Sequence, residues 1–282
     1  MRAILLYLRE SVMLSTGLAV MGLILLFAIA GPIFVDTDAA QPLSATPRMA
    51  PSAQFPFGTD DSGRDLLAVM VVGVPLTLRI GFLAGAVGLG VGILLGFLSG
   101  YAGGKVDTII LGTVDTLLTV PGLVVLISIA STIREEISVN LMALVVASLA
   151  WMWPTRTIRS QVLTLRERAY VHMAKLNGMN TMEIIWKELF PNLLPYLAAN
   201  LAGAVSWAVL ATIGLEALGL GPQNEPTVGM TIYWSITFSA LIRGMWWWWS
   251  IPILFLALLF VSLIMIAAGL DELANPKQRK AT

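Results

Sequence analysis

The chain contains no cysteine and a single histidine, His172. Without thiols there is no disulfide framework and no thiolate metal or redox centre, and one imidazole cannot build a histidine-rich metal cluster. Charge is scarce as well: 12% of the 282 residues are Asp, Glu, Lys or Arg, against 57% apolar. Catalytic motifs are missing too. Gly104-Lys105 comes closest to a phosphate-binding loop, but Ser99 stands where its first glycine belongs and Val106 where Ser or Thr belongs. There is no Gly-x-Ser-x-Gly, no His-Glu-x-x-His, and no pair of carboxylates within an apolar run. The basic residues are expected to spread along one membrane face and make no nucleic-acid groove. The chain therefore encodes no ATPase and is not expected to be an enzyme, nor to bind a metal or cofactor itself.

What it does contain is long apolar runs. A mean hydropathy of +0.83 over 282 residues is more apolar surface than a soluble domain can hide, so the solvent is mostly lipid. A bilayer core of roughly 30 Å takes about 20 helical residues. Runs 14–34, 78–100, 109–133, 141–154 with its flanks, and 247–269 qualify, and 193–215 is an Ala-rich sixth. These are continuous runs, not alternating strands, so the expected class is an all-α membrane protein with six transmembrane helices. The first run follows Arg2 and Arg9, and Ala28-Ile29-Ala30 mimics a cleavage site, but it is too long for a signal-peptide core and is expected to be retained.

Net charge is zero, yet its distribution is uneven. With the N-terminus on the cytoplasmic side, Arg2, Arg9, Lys105, Arg156, Arg159, Arg166, Arg168, Lys175, Lys187, Lys277, Arg279 and Lys280 lie inside. Only Arg48, Arg64, Arg79, Arg134 and Arg243 lie outside, as the positive-inside rule requires, and six spans return the C-terminus inside.

After the first helix, a loop from Asp36 to about Pro75 carries Gly58-Thr59-Asp60-Asp61-Ser62-Gly63-Arg64-Asp65. Its carboxylates suit an Asx-type turn bonding local amides; a calcium site from Asp60, Asp61 and Asp65 is the sharper alternative. The second helix has Ala84, Gly88, Gly92, Gly96 and Gly100, a flat stripe for close helix packing or, alternatively, a pathway wall. Asp115 in the third helix is costly in lipid and calls for a structural partner or a role in a gate; Pro121 should kink that helix. The fourth helix is expected to end near Trp151-Met152-Trp153-Pro154. The fifth carries Ala198, Ala202 and Ser206 and runs out past Glu216, either a solvated loop charge or a contact for solute or a partner. Trp246-Trp247-Trp248-Trp249 opens the sixth, as an interfacial belt or as platforms for sugar rings.

The interval from about 156 to 191 is polar amid apolar flanks. Helical spacing over 167–177 is followed by Gly178, which can take positive φ and end that helix. A second helix over 181–190, capped by Asn180 or Thr181, has Met182, Ile185, Trp186 and Leu189 as its apolar face, and Pro191 closes it. Such a pair could lie on lipid or dock a partner; periodicity leaves both open.

Several stretches together resemble the permease subunits of binding-protein-dependent ABC importers, specifically the C-type subunit of the dipeptide, oligopeptide and nickel family. The segment from Gly58 to Asp65 looks like that branch's outer-loop motif, carried by Gly58, Asp60, Asp61, Gly63, Arg64 and Asp65. The run from Gly100 to Asp107 resembles its second inner turn, and Asp115 and Pro121 fall where the family has Asp and Pro. The run Gln161-Val162-Leu163 through Arg166-Glu167 leads into a coupling loop in which Ala174, Gly178 and Pro191 fit the EAA motif, and Leu218-Gly219-Leu220-Gly221 fits the end of the fifth helix. The sequence departs at the motif's head: His172 and Met173 stand for Glu and Ala, and Phe190 replaces Leu. The tryptophan run and the stretch from Gly269 to Pro276 look more like oligosaccharide-importing members.

The resemblance implies a type I importer permease fold with a cytoplasmic coupling helix between helices 4 and 5. It divides the chain into a tail, first helix and outer loop (1–74), a permease core (75–270) and a cytoplasmic tail (271–282). It implies a prokaryotic inner-membrane location, a second related permease, two cytosolic ATPase subunits that use ATP and magnesium, and an extracytoplasmic solute-binding protein. His172, Met173, Ala174, Leu176, Gly178, Met179 and Pro191 would form the ATPase-coupling element. Asp115, Ser206 and Glu216 are candidates for pathway or gate. Small peptides or oligosaccharides are the expected cargo, with nickel chelates or opines as alternatives. An ion-driven secondary transporter, which should show inverted repeats and broken central helices, and a membrane scaffold without transport are the other classes.

Overall fold

The computed structural model describes residues 11–274, and the basic residues Arg2, Arg9, Lys277, Arg279 and Lys280 lie outside them. Among the described residues the chain is helical, with one isolated bridge between Thr59 and Asp65. Helix α1 (Val12–Phe34) is capped by Ser11, whose hydroxyl oxygen accepts from the Leu14 amide. A loop then leads to Asp65, whose carboxylate accepts from the Leu67 amide and starts α2 (Leu66–Ala102).

Helix α2 is 37 residues long and begins twelve residues before the expected start, so the loop ends at Asp65 and a domain boundary at 74/75 would cut this helix. Pro75 does not stop it, because the apolar run 66–74 is already helical upstream. Arg79 consequently sits on the helix and not in a loop; it is exposed. At 1.5 Å per residue it lies roughly 34 Å from Ala102 along the axis, about one bilayer core away.

The third span is not kinked but broken. Helices α3 (Gly104–Leu118) and α4 (Gly122–Thr132) meet at 84° across Thr119 to Pro121. Proline disfavours helical geometry in the residue before it and offers no N–H to the preceding turn, so α4 starts afresh after Pro121. Helices α5 (Val139–Ala150) and α6 (Met152–Arg166) are bent by 44°, and α6 runs on through Pro154 to Arg166. Pro154 lies in the first turn of α6, where its missing N–H costs nothing. The first half of the polar interval is therefore a continuation of the fourth span.

A short helix α7 (Ala169–Leu176) follows, then α8 (Thr181–Ile184). Helix α8 passes through a wide turn, Ile185–Leu189, into α9 (Phe190–Glu216) without a stop. Pro191 does not close a helix; it lies in the first turn of α9. The chain absorbs it by widening the preceding turn, in which the Phe190 amide donates back to the Ile185 carbonyl. Helix α10 (Val228–Thr237), not expected from the sequence, precedes α11 (Trp246–Ala274). Among the described residues, four helical stretches are long and apolar enough to cross a membrane alone, and each bent pair taken as one span makes six.

Helix α2 is the centre of the bundle, and its small residues are why. At Gly88 and Gly92 a Cβ atom would come within 2.5 Å of Ala150 and Pro154. Gly96 and Gly100 face Ile158 and Val162, and on another side Gly81 and Gly85 face Val209 and Val205 of α9. The glycine stripe is thus intramolecular packing against α5, α6 and α9, where lipid supplies no hydrophobic drive and contact must come from close approach. The tryptophan run is only partly a belt. Trp247 and Trp248 are buried with Leu66, Met70, Ala240 and Met245, while Trp246 is exposed. The start of α2 and the start of α11 pack into a cap at this end of the molecule.

Candidate functional site

The two ends of the bundle carry different chemistry. The cap end holds the outer-loop motif. Asp60 Oδ1 accepts from the Ser62 and Arg64 amides at 2.8 and 2.9 Å, and Asp65 caps α2. Asp61 pairs with Arg48 at 2.6 Å and with Arg243 at 2.8 Å. Gly58 and Gly63 adopt φ of 75° and 72°, and the Thr59 carbonyl accepts from Trp247 Nε1 at 3.1 Å. All three carboxylates are spent on the chain's own amides and arginines, and no metal-binding group of acidic residues occurs among the described residues. The Asx turn is what the loop forms. Burial pushes the Asp60 carboxyl above its ordinary 3.8 despite the Arg64 charge and two amide bonds.

At the opposite end, α7 and its flanking turns form the second site. Arg159 grips Asp107 with two bonds of 2.5 Å, and Ser99 donates to the same carboxylate. Arg166 donates to the Gly100 carbonyl at 2.9 Å, and Lys175 lies 5.9 Å from the centre of the Tyr101 ring. These contacts tie the α2–α3 turn to α6 and α7. Val171 and Ala174 then bury α7 against Phe97, Ile158, Ile184 and Leu189.

The end of α7 is a Schellman turn. Gly178, at φ 81°, donates to Lys175 O at 3.0 Å, and Met179 donates to Ala174 O at 3.1 Å. Asn180 and Glu183 follow as a capping box. Two interlocked caps within a few residues make the α7–α8 link a stiff hook.

The residues proposed for coupling divide on this scaffold. His172, Met173 and Leu176 face outward, with Leu176 81% exposed, and Gly178 is also at the surface. Ala174 turns inward, 5% exposed, and packs α7 on the bundle. Met179 is half-buried against the same core, and Pro191 is exposed in the first turn of α9. Met182 and Trp186, 61% and 59% exposed, extend the outward apolar patch. The expected apolar face of 182, 185, 186 and 189 does not hold together, because Leu189 is fully buried while Met182 and Trp186 point out.

The three pathway candidates are not brought together. Asp115 pairs with Arg156 of α6 at 3.4 Å, both about half exposed. The Ser206 hydroxyl donates to its own helix at Ala202 O, 2.9 Å. Glu216 is not a solvated loop charge: it is fully buried, and its Oε1 accepts from Thr227 Oγ1 at 2.7 Å. Gly221 and Gly229 lie flush against it, which is what lets the loop after α9 close over a carboxylate.

Residues 92–280 match the model of the binding-protein-dependent transport system inner membrane component family. The chain belongs to this family. It is 27% identical over 273 residues to the dipeptide transport system permease protein DppC of Bacillus subtilis, covering 97% of this chain and 84% of that one. It is 30% identical over 271 residues to the oligopeptide transport system permease protein OppC of Haemophilus influenzae, covering 93% and 84%. The probable D,D-dipeptide transport system permease protein DdpC of Escherichia coli is 28% identical, covering 96% and 89%. As a member of this family the chain is a multi-pass inner-membrane permease component of a binding-protein-dependent ABC importer, and not an enzyme. The stretch matched by the family model takes in the α2–α6 seam, the hook at Gly178 and the buried Glu216; the outer loop 36–65 lies before it.

Proposed function

We propose that this permease forms one half of a channel for small peptides, paired with a second related permease, two ATPase subunits and an extracytoplasmic binding protein. The hook end faces the cytoplasm and the cap end faces outward, in line with the basic residues gathered around α6 to α8. This chain holds no nucleotide; ATP and magnesium act on the ATPase subunits. The dipeptide and oligopeptide permeases among its relatives support a peptide cargo over sugars, nickel chelates or opines.

The observation that carries the mechanism is the hook itself: a rigid, apolar, outward-facing helix fixed to the bundle by Ala174, Val171 and Arg166. A partner that grips Met173 and Leu176 moves the whole α6–α9 body, because two caps leave the link no slack. Closure of the ATPases on ATP would carry that body with them and open the bundle outward, and hydrolysis would reset it, a rigid-body alternation about packed interfaces. The break in the third span is a feature shared with ion-driven carriers; membership in a binding-protein-dependent family favours the ATP-driven reading.

Gly178 tests this. A Cβ there would meet no atom of this chain within 4 Å. The internal cost of Gly178→Asn is therefore only that of a left-handed non-glycine residue, about 1 kcal/mol or less. Gly178→Asn is expected to fold and assemble. Gly178→Trp is expected to abolish substrate-stimulated ATPase activity and uptake while the protein still inserts. Wild-type stimulation in Gly178→Trp would refute the coupling role.

A further inference from the structure

Between α5, α6, α9 and α11 lies a cavity of about 530 Å³, within the size range that encloses a small organic ligand. It lies in the half of the bundle nearer the hook. Its wall is mainly apolar and includes three aromatic rings, Trp153, Tyr196 and Trp207. Thr157, Asn200 and Asp271 supply the polar groups. The Asn200 amide nitrogen donates to the Tyr196 carbonyl at 2.9 Å, which fixes that group and leaves Oδ1 with only the Thr157 hydroxyl at 3.5 Å. Asp271 is the one charged residue on the wall. It forms no ion pair with any described residue.

Among the described residues the wall offers one negative charge, an amide oxygen with a single long hydrogen bond, π faces and no cation, a set that repels an anion and complements a cation. We infer that this cavity binds a primary ammonium group carried on an apolar or aromatic body. Asp271 and Asn200 Oδ1 accept from the ammonium, and Trp153 and Trp207 flank the body. The inference rests on the permease reading and gives the amino end of a peptide a place inside the membrane. The ethanolamine headgroup of a lipid presents the same chemistry.

The complete transporter, reconstituted in phosphatidylcholine nanodiscs, tests it with alanyl-p-benzoylphenylalanine as photoprobe and its N-acetylated form as control. Cross-links are expected on α6 and α9 around Trp153 and Trp207. N-acetylation and Asp271→Asn are each expected to cut labelling there roughly two- to fivefold, the scale of one solvent-exposed cation–carboxylate contact, with the subunits still co-purifying. Labelling that falls when phosphatidylethanolamine is added, together with retention of that lipid by wild type but not by Asp271→Asn, would assign the same ammonium site to lipid. Labelling unchanged by both N-acetylation and Asp271→Asn, or absent from α6 and α9, would overturn the site. ATP-dependent uptake of the unmodified dipeptide in the same preparation separates the two levels: uptake without labelling sinks this cavity alone, whereas no uptake of any dipeptide sinks the peptide reading.

Discussion

At the scale of single residues, Asp60 shows how the outer-loop motif works. Its carboxylate is buried and serves as a turn, accepting two amides that would otherwise be unpaired. Asn presents the same acceptor without the charge, so Asp60→Asn is expected to keep the loop. Asp60→Ala strands the Ser62 and Arg64 amides and is expected to lower stability by about 1–3 kcal/mol per unpaired group. The pH dependence has a definite sign. The folded Asp60 carboxyl titrates above 3.8, so the folded state takes up this proton more readily than the unfolded state. The Asp60 contribution is therefore fully favourable below 3.8 and is lost as pH rises through the folded value. Thermal unfolding from neutral pH down to about 4 should narrow the gap between wild type and Asp60→Asn; a widening gap would contradict this. The Asx turn could be read from the sequence because its chemistry is local. Glu216 could not: a carboxylate beside a Gly-rich loop reads as solvated, and only Gly221 and Gly229, brought against it by the turn and α10, create the space that buries it.

At the scale of elements, the long apolar helices followed directly from residue patterning, and their ends did not. Pro75 and Pro154 look like breaks, yet the first is overridden by an apolar run already helical upstream, and the second falls in a first turn where proline is tolerated. Pro121, expected to give a kink, coincides with a full break, since Thr119 and Val120 leave the helix before it. Gly178 was readable because a positive-φ stop has few substitutes. The inward turn of Ala174 was not, because α7 is short and its seating depends on Phe97 and Ile158, far away in sequence. The α2–α6 seam offers the sharpest test at this scale. Gly92→Leu would drive a side chain into Pro154, and overpacking of this kind costs about 1–3 kcal/mol. Lower thermal stability and lower yield of assembled transporter are expected, whereas Gly90→Leu, where nothing lies within 4 Å, should behave as wild type. Equal stability of the two variants would remove the seam from the account.

At the scale of the whole molecule, the two ends of the bundle are built differently. The cap end closes on itself through Asp61, Arg48, Arg243 and the buried tryptophans. The hook end is stiff inside and apolar outside. Between them, the glycine-rich α2 lies at contact distance from α5, α6 and α9. Because this chain has no cysteine, an introduced thiol is unique within it. The most direct measurement is cross-linking from Leu176→Cys in intact membranes, with and without ATP. The thiol should be reachable only from the cytoplasmic side, should cross-link to a nucleotide-hydrolysing subunit, and should do so in a yield that changes when ATP is added. A thiol labelled from outside, or one that captures no such subunit, would contradict the coupling role.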